Sequence, residues 1–462
     1  MPTNSRPLPV LPGAPIVGAA LDLRRDYLGT VLRAAREVGP VTRISAGPPG
    51  WRASFVSVTA PGLVLEILGQ PQRYTRDTAG YAEMRWAFGN GMPTSQGDVW
   101  LRQRRLLAPV FTPRRISGSY AAVMVEESQK LVAGWREHGA AGTGIDAHDA
   151  MVTLTSRIIG RVLFGADMAG AIPRMVSARH VGDTLLRRGV VPHPMPVRVP
   201  TPANRRLVAG VRTLRSVVDD VITARRSRPS GDDGCGEDML TLLLDAQRSE
   251  DPDRRLSDTE VADQVLIFLL AGHDTTATAL ACLLVELARS PHWQSVLRTE
   301  IGEVLAGRPA TAADVSRLPW TYRAVCEALR LYPPAHTIAR VAAADEVLGG
   351  YRVPAGSTVL VTPWAVHRSP DLWPEPDTFD PGRFDLPPDR HPGGHRNAWL
   401  PFGAGPHTCV GMQLAMQEAV LAVATILSAF DLSTTVDTIK LEAALSLHPA
   451  TALPVRLTPV AG

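Results

Sequence analysis

The chain has 462 residues, of which 45% are hydrophobic and 20% charged, so it can bury a large core as a globular protein. The formal net charge of +3, without a basic run interleaved with aromatic residues, lacks the signature of a nucleic-acid-binding protein. The four cysteines show no CxxC or CxxxC spacing, which argues against a zinc site or disulfide framework and favours a reducing cytoplasm. Because neither a signal-peptide pattern nor a run of about 20 apolar residues occurs, we expect no membrane anchor.

The first half of the chain alternates proline-rich segments with helical patterns. Residues 1–20 form a proline-rich lead-in for which we expect no regular structure. Two short strand patterns around the turn Pro48-Pro49-Gly50 predict a hairpin of residues 41–45 and 55–58. Helices are predicted over residues 26–38, 61–68, 99–108, 154–164 and 207–226. Loops are predicted over residues 74–92, 192–202 and 225–237, the first of them forming the edge of a pocket.

Trp100 and Arg104 lie four residues apart and therefore share one face of the helix predicted over residues 99–108. Arg102 and Arg105 lie on the same helix, so an ordinary solvated basic helix explains the pair when it is taken alone. Chemically, the pair offers an indole N–H and a guanidinium that can bind a carboxylate through two hydrogen bonds.

A long helix is predicted from Ser257, which forms a capping-box pattern with Glu260, to Arg289. It spans about 32 residues, or roughly 48 Å at 1.5 Å per residue, enough to cross the whole molecule. In its middle, Ala271-Gly272-His273-Asp274-Thr275-Thr276 interrupts an apolar run, and the Thr275 hydroxyl is expected to bond to the Ala271 carbonyl and open the turn. A solvent-facing polar pair is the alternative, although the apolar flanks weigh against it.

Glu327 and Arg330 lie three residues apart on a further predicted helix. An exposed ion pair at this spacing would contribute only a few tenths of a kcal/mol to the stability of the fold. Their apolar neighbours, such as Leu329, indicate that the pair is partly buried. Later in the chain, short strands are predicted at residues 351–353 and 358–362. A terminal hairpin is predicted at residues 445–454, with a tip at residues 449–452 that could touch a substrate.

A glycine-rich loop runs from Phe402 to Gly411 and contains Cys409. Gly403, Gly405 and Pro406 disfavour both helix and strand there, and a helical pattern begins directly after the cysteine. The loop is therefore expected to present the sulfur at a helix N-terminus, where the helix dipole and backbone N–H groups favour a thiolate. A lone cysteine is most often a small buried apolar residue, so the loop needs support from the rest of the chain.

The pattern Phe-x-x-Gly-x-x-x-Cys-x-Gly, with His407 two positions before Cys409, resembles the haem-binding loop of the cytochrome P450 family. The segment Ala271-Gly-His-Asp-Thr-Thr276 is similar to the distal-helix motif of the same family, and Glu327, Arg330 and Arg383 match its Glu-Arg-Arg cluster. The resemblance implies a mainly α fold with small β-sheets, in a single large domain over residues 1–462.

The resemblance also implies haem b as the cofactor, with Cys409 as the iron ligand. Arg104, Trp100, Arg340 and His407 would neutralise the two haem propionates. Further residues expected at the cofactor are Ala271, Phe402, Gly403 and Gly411. Asp274 and Thr275 would be the catalytic pair that relays protons during dioxygen activation.

The function implied is a monooxygenase that hydroxylates or epoxidises an apolar small molecule, such as a terpenoid or a polyketide. We expect electrons from a separate ferredoxin and ferredoxin reductase, because the chain has no cysteine cluster for an iron–sulfur centre. A peroxide-driven peroxygenase and a non-enzymatic haem sensor or carrier are the alternatives. An apolar pocket wall is expected from Tyr81, Met84, Trp86, Phe88, Leu266, Leu270, Ile338 and Ala450, with Arg85 and His336 as possible polar anchors.

Overall fold

The computed structural model describes residues 6–137, 144–168, 170–190, 196–227, 238–251, 255–386 and 390–460. Helices dominate these residues: α1 Ala20–Arg25, α2 Tyr27–Arg33, α3 Pro61–Gly69, α4 Ala79–Phe88, α5 Gly97–Leu107, α6 Pro113–Arg115, α7 Ala121–Glu137, α8 Ala147–Phe164, α9 Ile172–Ser177, α10 His180–Val190, α11 Pro202–Arg226, α12 Met239–Gln247, α13 Asp258–Arg289, α14 Pro291–Leu305, α15 Pro319–Leu331, α16 Pro363–Val366 and α17 Met412–Leu427. Of the predicted loops, residues 192–195 and 228–237 lie outside the described ranges.

The strands form small sheets at the margin of the helical body. They are β1 Val41–Ala46, β2 Ala53–Val58, β3 Tyr74–Thr75, β4 Gly144–Asp146, β5 Ile338–Ala342, β6 Glu346–Leu348, β7 Tyr351–Val353, β8 Thr358–Val361, β9 Phe430–Ser433, β10 Leu441–Ala443, β11 Leu447–Pro449 and β12 Pro454–Pro459. One sheet has the order β1-β2-β8-β5-β3 and another β4-β12-β9, while β6–β7 and β10–β11 are two-stranded. The fold is therefore mainly α with small β-sheets, as predicted.

The predicted long helix is confirmed as α13, which crosses the molecule from Asp258 to Arg289. Its N-terminus has the predicted capping box, because Ser257 accepts from the Glu260 N–H while the Glu260 carboxylate accepts from the Ser257 N–H. By length and composition this helix could cross a membrane, but 72% of its apolar window is buried inside the molecule. It packs against α8, α15 and α17 and so forms the centre of the largest hydrophobic core.

The loop predicted over residues 74–92 is wrong, because most of it forms α4. The Thr78 hydroxyl caps the helix by accepting from the Tyr81 N–H at 3.1 Å, and Gly89 ends it with a φ of 86°. Arg188 of α10 holds α4 in place with two hydrogen bonds to the Glu83 carboxylate, at 2.6 and 2.9 Å. Tertiary contacts thus stabilise a helix whose glycine and aromatic content suggested a loop.

The terminal hairpin exists, but its predicted register is wrong. Strands β10 and β11 pair with Leu441 opposite Pro449, so the tip is formed by residues 444–446 and not by residues 449–452. Residues 454–456 pair with β4 and residues 456–459 with β9 instead, because Val455 and Leu457 alternate toward the core and are fully buried there. The hairpin formed by β1 and β2 is confirmed.

The Glu327–Arg330 pair is fully buried and orders the irregular segment that precedes the cysteine loop. Arg330 donates to both Glu327 oxygens, at 2.6 and 2.8 Å, and also to the carbonyls of His367, Pro376 and Thr378. Arg383 lies 3.3 Å from the same carboxylate. The predicted three-residue cluster is therefore present, and its charges are paired and hydrogen-bonded as burial requires.

We predict that Glu327→Gln lowers the free energy of unfolding by about 3–5 kcal/mol, because it leaves the buried Arg330 charge unpaired. The matched control is Asp245→Asn, which removes an exposed Asp245–Arg248 pair at the same spacing of three residues. We expect that substitution to lower the free energy of unfolding by less than about 1 kcal/mol. Chemical denaturation monitored by circular dichroism measures both, and equal effects would contradict the structural role of the buried pair.

Candidate functional site

The cysteine loop is a closed backbone structure that ends where α17 begins. The Cys409 N–H donates to the Phe402 carbonyl at 3.0 Å, and the Gly403 N–H donates to the Leu400 carbonyl at 3.0 Å. Gly403 and Gly405 both have a positive φ, of 71° and 73°, a conformation that other residues adopt only with strain. The loop therefore fixes the sulfur through main-chain hydrogen bonds.

Gly405 also allows the loop to lie directly against α3. A Cβ atom at this position would come within 2.2 Å of the Leu68 carbonyl oxygen, near the end of that helix. No side chain fits in such a gap. The cysteine loop and α3 are thus in contact through their backbones.

Helix α15 and the segment after it support the other side of the loop. The Leu400 N–H donates to His367 Nε2 at 2.7 Å, and His367 Nδ1 donates to the Arg330 carbonyl at 3.0 Å. Burial, followed by the charge of Arg330, lowers the pKa of His367 to about 3, so the ring is neutral and can use one nitrogen as donor and the other as acceptor. The Trp399 indole donates to the Cys326 carbonyl at 3.2 Å. The buried ion pair is thus linked to the loop by hydrogen bonds.

The Cys409 sulfur faces an internal cavity. Burial raises the pKa of its thiol, while a hydrogen bond from the Gly411 N–H and the charge of Arg104 oppose the increase. The backbone N–H at the start of α17 thus favours the thiolate, as expected, while burial of the sulfur acts in the opposite direction and is the larger effect. A cation bound to the sulfur would remove the proton, as metals do with coordinating thiols.

Three arginines come together at the wall of the same cavity: Arg76, Arg104 and Arg340. Arg104 donates to the Thr408 carbonyl at 3.2 Å and Arg340 to the Ala339 carbonyl at 2.8 Å, so neither is bound to a carboxylate in these contacts. Among the described residues that line the cavity, Glu418 is the acidic one. Such an excess of positive charge fits a ligand that carries anionic groups.

Arg76 was missed by sequence reasoning. It lies between β3 and α4, is 7% exposed, and donates to the carbonyls of Pro93 and Ser95 at 3.0 and 3.1 Å. Its Nε is buried without a hydrogen-bond partner among the described residues. In sequence it has the same pattern as a solvated loop arginine, so no local signal identified it.

His407 lies beside Trp100, with their ring centroids 4.2 Å apart. Burial, followed by the charges of the three arginines, lowers the pKa of His407 to about 3 and so favours the neutral ring, and carboxylates of a bound ligand would oppose this effect. Its Nδ1 is buried and has no partner within the described part of the chain. A neutral ring in this position can still donate a hydrogen bond to a ligand.

Helix α13 forms the opposite wall through Ala271, Gly272 and Thr275. The Thr275 hydroxyl donates to the Ala271 carbonyl at 2.8 Å, as predicted. The helix nevertheless continues without a break, so the expected opening of the turn is not seen. Gly272 has a packing role, since a Cβ there would lie 2.9 Å from Ile159 of α8.

Asp274 is the one predicted site residue that does not line the cavity in the described part of the structure. Its carboxylate accepts a short hydrogen bond from the Ser446 hydroxyl, at the tip of the β10–β11 hairpin. The other ten predicted residues line the cavity: Ala271, Thr275, Trp100, Arg104, Arg340, Phe402, Gly403, His407, Cys409 and Gly411.

Glu418, on α17, was also missed. Its side chain lines the cavity and is 1% exposed, and burial raises its pKa well above the ordinary value. Its Oε1 has no partner among the described residues. Burial thus favours the neutral form of this carboxyl group. Its position inside a mainly apolar helix is the signal that could have identified it.

The predicted pocket wall is mostly incorrect. Tyr81 and Ile338 line the cavity, but Met84, Trp86, Phe88, Leu266, Leu270 and Ala450 are not among its described wall residues. The wall contains other apolar side chains instead, including Met92, Leu163 and Phe268. Arg85 and His336 do not line it either, because Arg85 donates to the Thr94 carbonyl and His336 to the Ala444 carbonyl.

The cavity thus has a defined chemistry. It offers a sulfur on one side, a helix with a hydroxyl on the other, a cluster of cationic donors, and apolar side chains elsewhere. Buried nitrogens of Arg76 and His407 lack a hydrogen-bond partner among the described residues, and the arginine charges there are not paired with a carboxylate. Both features fit a large, mostly apolar ligand with carboxylates at one end.

Comparison with known proteins gives a consistent result. The family model described as Cytochrome P450 matches residues 8–453. The chain is 36% identical over 420 residues to the cyclooctat-9-en-7-ol 5-monooxygenase of Streptomyces melanosporofaciens, covering 90% of this chain and 88% of that protein. It is 37% identical over 421 residues to the cyclooctatin synthase of the same organism, covering 90% and 87%. It is 34% identical over 420 residues to the pentalenene oxygenase of Streptomyces avermitilis, covering 90% and 89%.

Proposed function

The chain belongs to the cytochrome P450 family and is a monooxygenase with haem b as its cofactor, and on that basis we propose that Cys409 is the axial ligand of the haem iron. The observation that carries this proposal is the exposure of the Cys409 sulfur in a cavity whose opposite wall is α13. Bound haem b supplies the activation of dioxygen and the transfer of one oxygen atom to the substrate.

Arg76, Arg104 and Arg340 would bind the two propionates through charge-assisted hydrogen bonds. Trp100 and the neutral His407 would add N–H donors, and the loop residues Phe402, Gly403 and Gly411, with Ala271 of α13, would contact the macrocycle. Each of these side chains or backbone segments already lines the cavity. The chain therefore provides both a soft ligand for iron and a compensating charge for the carboxylates.

The identity of the ligand is tested by the ferrous carbon monoxide complex. We predict absorption at the thiolate-specific position for the wild type and its loss in Cys409→Ala, because the other described cysteines are buried away from the cavity wall. Cys282→Ala, at a fully buried cysteine on α13, is the matched control and should keep the band. Loss of the band in the control but not in Cys409→Ala would refute the assignment.

We predict that Arg76→Ala and Arg104→Ala each weaken haem binding by about tenfold, as expected for loss of a hydrogen bond to a charged group. Haem content of the purified protein and transfer of haem to apomyoglobin measure this effect. Arg102→Ala is the control, since Arg102 lies on the same helix α5 but pairs with Glu260. An unchanged transfer rate in both test variants would exclude these arginines as propionate ligands.

We further propose that Thr275 and Asp274 deliver protons at the cavity wall formed by α13. Thr275 lines the cavity, while Asp274 is not among the described wall residues and accepts a hydrogen bond from Ser446. This arrangement suits a relay in which Asp274 takes protons from outside and Thr275 presents a hydroxyl inside.

We predict that Thr275→Ala lowers the fraction of reducing equivalents recovered in product by roughly tenfold and increases hydrogen peroxide release. The spectra and substrate affinity should stay unchanged, because the hydroxyl is not needed to hold haem. Thr275→Ser, which keeps the hydroxyl, is the control. A normal product yield in Thr275→Ala would argue against the relay.

The substrate, we propose, is a cyclic terpenoid. The described wall is mostly apolar, so it favours an apolar ligand at about 25 cal/mol per Å² of buried surface. The names of the relatives point the same way, since one is a cyclooctat-9-en-7-ol 5-monooxygenase, another a cyclooctatin synthase and the third a pentalenene oxygenase. Electrons would come from a separate ferredoxin and its reductase in the cytoplasm.

We predict that cyclic terpenes, including cyclooctat-9-en-7-ol and pentalenene, shift the ferric haem to high spin, because an apolar ligand displaces water from the cavity. Optical titration measures the shift, with long-chain fatty acids and macrolides as comparison panels. A shift by macrolides alone would favour a polyketide substrate and contradict the terpenoid proposal.

A further inference from the structure

The carboxylate of Asp274 is held by a residue far away in sequence. Ser446 lies at the tip of the β10–β11 hairpin, and its hydroxyl donates to Asp274 Oδ2. Within the described residues, no ion pair to Asp274 is found. The hydrogen-bond partner of this carboxylate is therefore a neutral hydroxyl and not a cation.

The hairpin tip that carries Ser446 is fixed from both sides. Because a carbonyl oxygen can only accept, the contact at 3.0 Å from His336 Nε2 to the Ala444 carbonyl shows that Nε2 carries the proton. The Leu447 N–H donates to the Pro334 carbonyl at 2.9 Å. Pro334 itself lines the cavity, so the tip is tied to the cavity wall and its position is set together with that wall.

Ser446 lies between solvent and the buried helix. Its side chain is half-buried, as is that of Asp274, whereas Leu445 beside it is 42% exposed. A hydroxyl that donates to a carboxylate keeps two lone pairs, which can accept from a water molecule. Ser446 can therefore accept a proton from water on one side and pass its own proton to Asp274 on the other.

His148 interacts electrostatically with Asp274, and Arg179, Asp146 and Asp149 also act on His148. Burial lowers the pKa of His148 despite the opposing charge of Asp274, so the imidazole is neutral at neutral pH. Its Nε2 has no partner among the described residues. Arg179 does not release a proton at such pH. Neither group competes with the serine as the hydroxyl bridge to solvent.

We propose that Ser446 is a positioning residue of the proton relay, which holds the Asp274 carboxylate and passes protons to it from solvent. In each transfer, water donates a proton to Ser446 Oγ while the original Ser446 proton moves to Asp274 Oδ2. The serine ends neutral, the water becomes hydroxide that bulk solvent reprotonates, and one proton has entered the relay. The proposal rests on the role proposed above for Asp274.

The test compares product yield per reducing equivalent in the haem-loaded wild type, Ser446→Ala, Ser446→Thr and Leu445→Ala. Electrons come from a surrogate ferredoxin and its reductase, and the substrate is the terpene with the largest high-spin shift. We expect a roughly tenfold lower yield for Ser446→Ala, from the loss of one hydrogen bond. Ser446→Thr, which keeps the hydroxyl, should restore the yield, and Leu445→Ala should leave it at the wild-type value.

A second measurement does not depend on turnover. The infrared C–O stretch of the ferrous carbon monoxide complex reports polarity at the wall of α13, and it should shift in Ser446→Ala and return in Ser446→Thr. Haem content and melting temperature of Ser446→Ala should match the wild type, since the contacts that fix the tip are made by its backbone.

The Asp274→Asn variant distinguishes a failure of the proposed relay from a failure of the role proposed for Ser446. If Asp274→Asn lowers the yield and Ser446→Ala adds nothing to it, both residues act in one path and the proposal stands. If Asp274→Asn lowers the yield while Ser446→Ala has a wild-type yield and C–O stretch, the serine has no part in the relay. If Asp274→Asn itself has no effect, the relay is wrong and the role of Ser446 falls with it.

Discussion

The buried ion pair between Glu327 and Arg330 is the interaction on which the geometry of the site depends. Both side chains are fully buried, a state that costs several kcal/mol per charge unless every donor and acceptor has a partner. Arg330 meets that condition by donating to carbonyls of a segment that is mostly without regular structure. His367 of that segment then accepts a hydrogen bond from the Leu400 N–H, just before the cysteine loop. The hydrogen bonds that the buried Arg330 requires therefore help to position the Cys409 sulfur.

The cavity is formed by elements that are distant in the chain. Some of its residues could therefore be predicted from local sequence patterns, whereas others could not. The cysteine loop and the middle of α13 are continuous stretches, and their glycine, proline and hydroxyl patterns are consequences of local backbone chemistry. They could therefore be identified directly. Arg76 and Ser446 reach the site or its relay through tertiary packing, and nothing in their immediate neighbours distinguishes them from surface residues. Glu418 has a local signal, an acidic side chain within an apolar helix, but only the fold shows that it faces the cavity.

Two errors in secondary structure have the same origin. Helix α4 is rich in aromatic residues and includes a glycine, yet a threonine cap and the contact between Glu83 and Arg188 of α10 stabilise it. The terminal hairpin was predicted over residues 445–454 but is formed by residues 441–449, because β12 pairs with β4 and β9 and buries Val455 and Leu457 there. In both cases the deciding energy comes from contacts across the fold, which local propensity does not contain.

The absence of a side chain at Gly405 couples the cysteine to α3, most of whose residues lie away from the cavity wall. The loop touches the Leu68 carbonyl through its backbone, with no flexible atoms between them to absorb a displacement. A mutation that shifts α3 by a few tenths of an ångström would accordingly be transmitted to the sulfur, even at positions of the helix other than Leu68, its one described residue at the cavity wall. Laboratory evolution of this enzyme would encounter such remote positions as unexpected determinants of the iron's electronic properties, and α3 is where a search for them should begin.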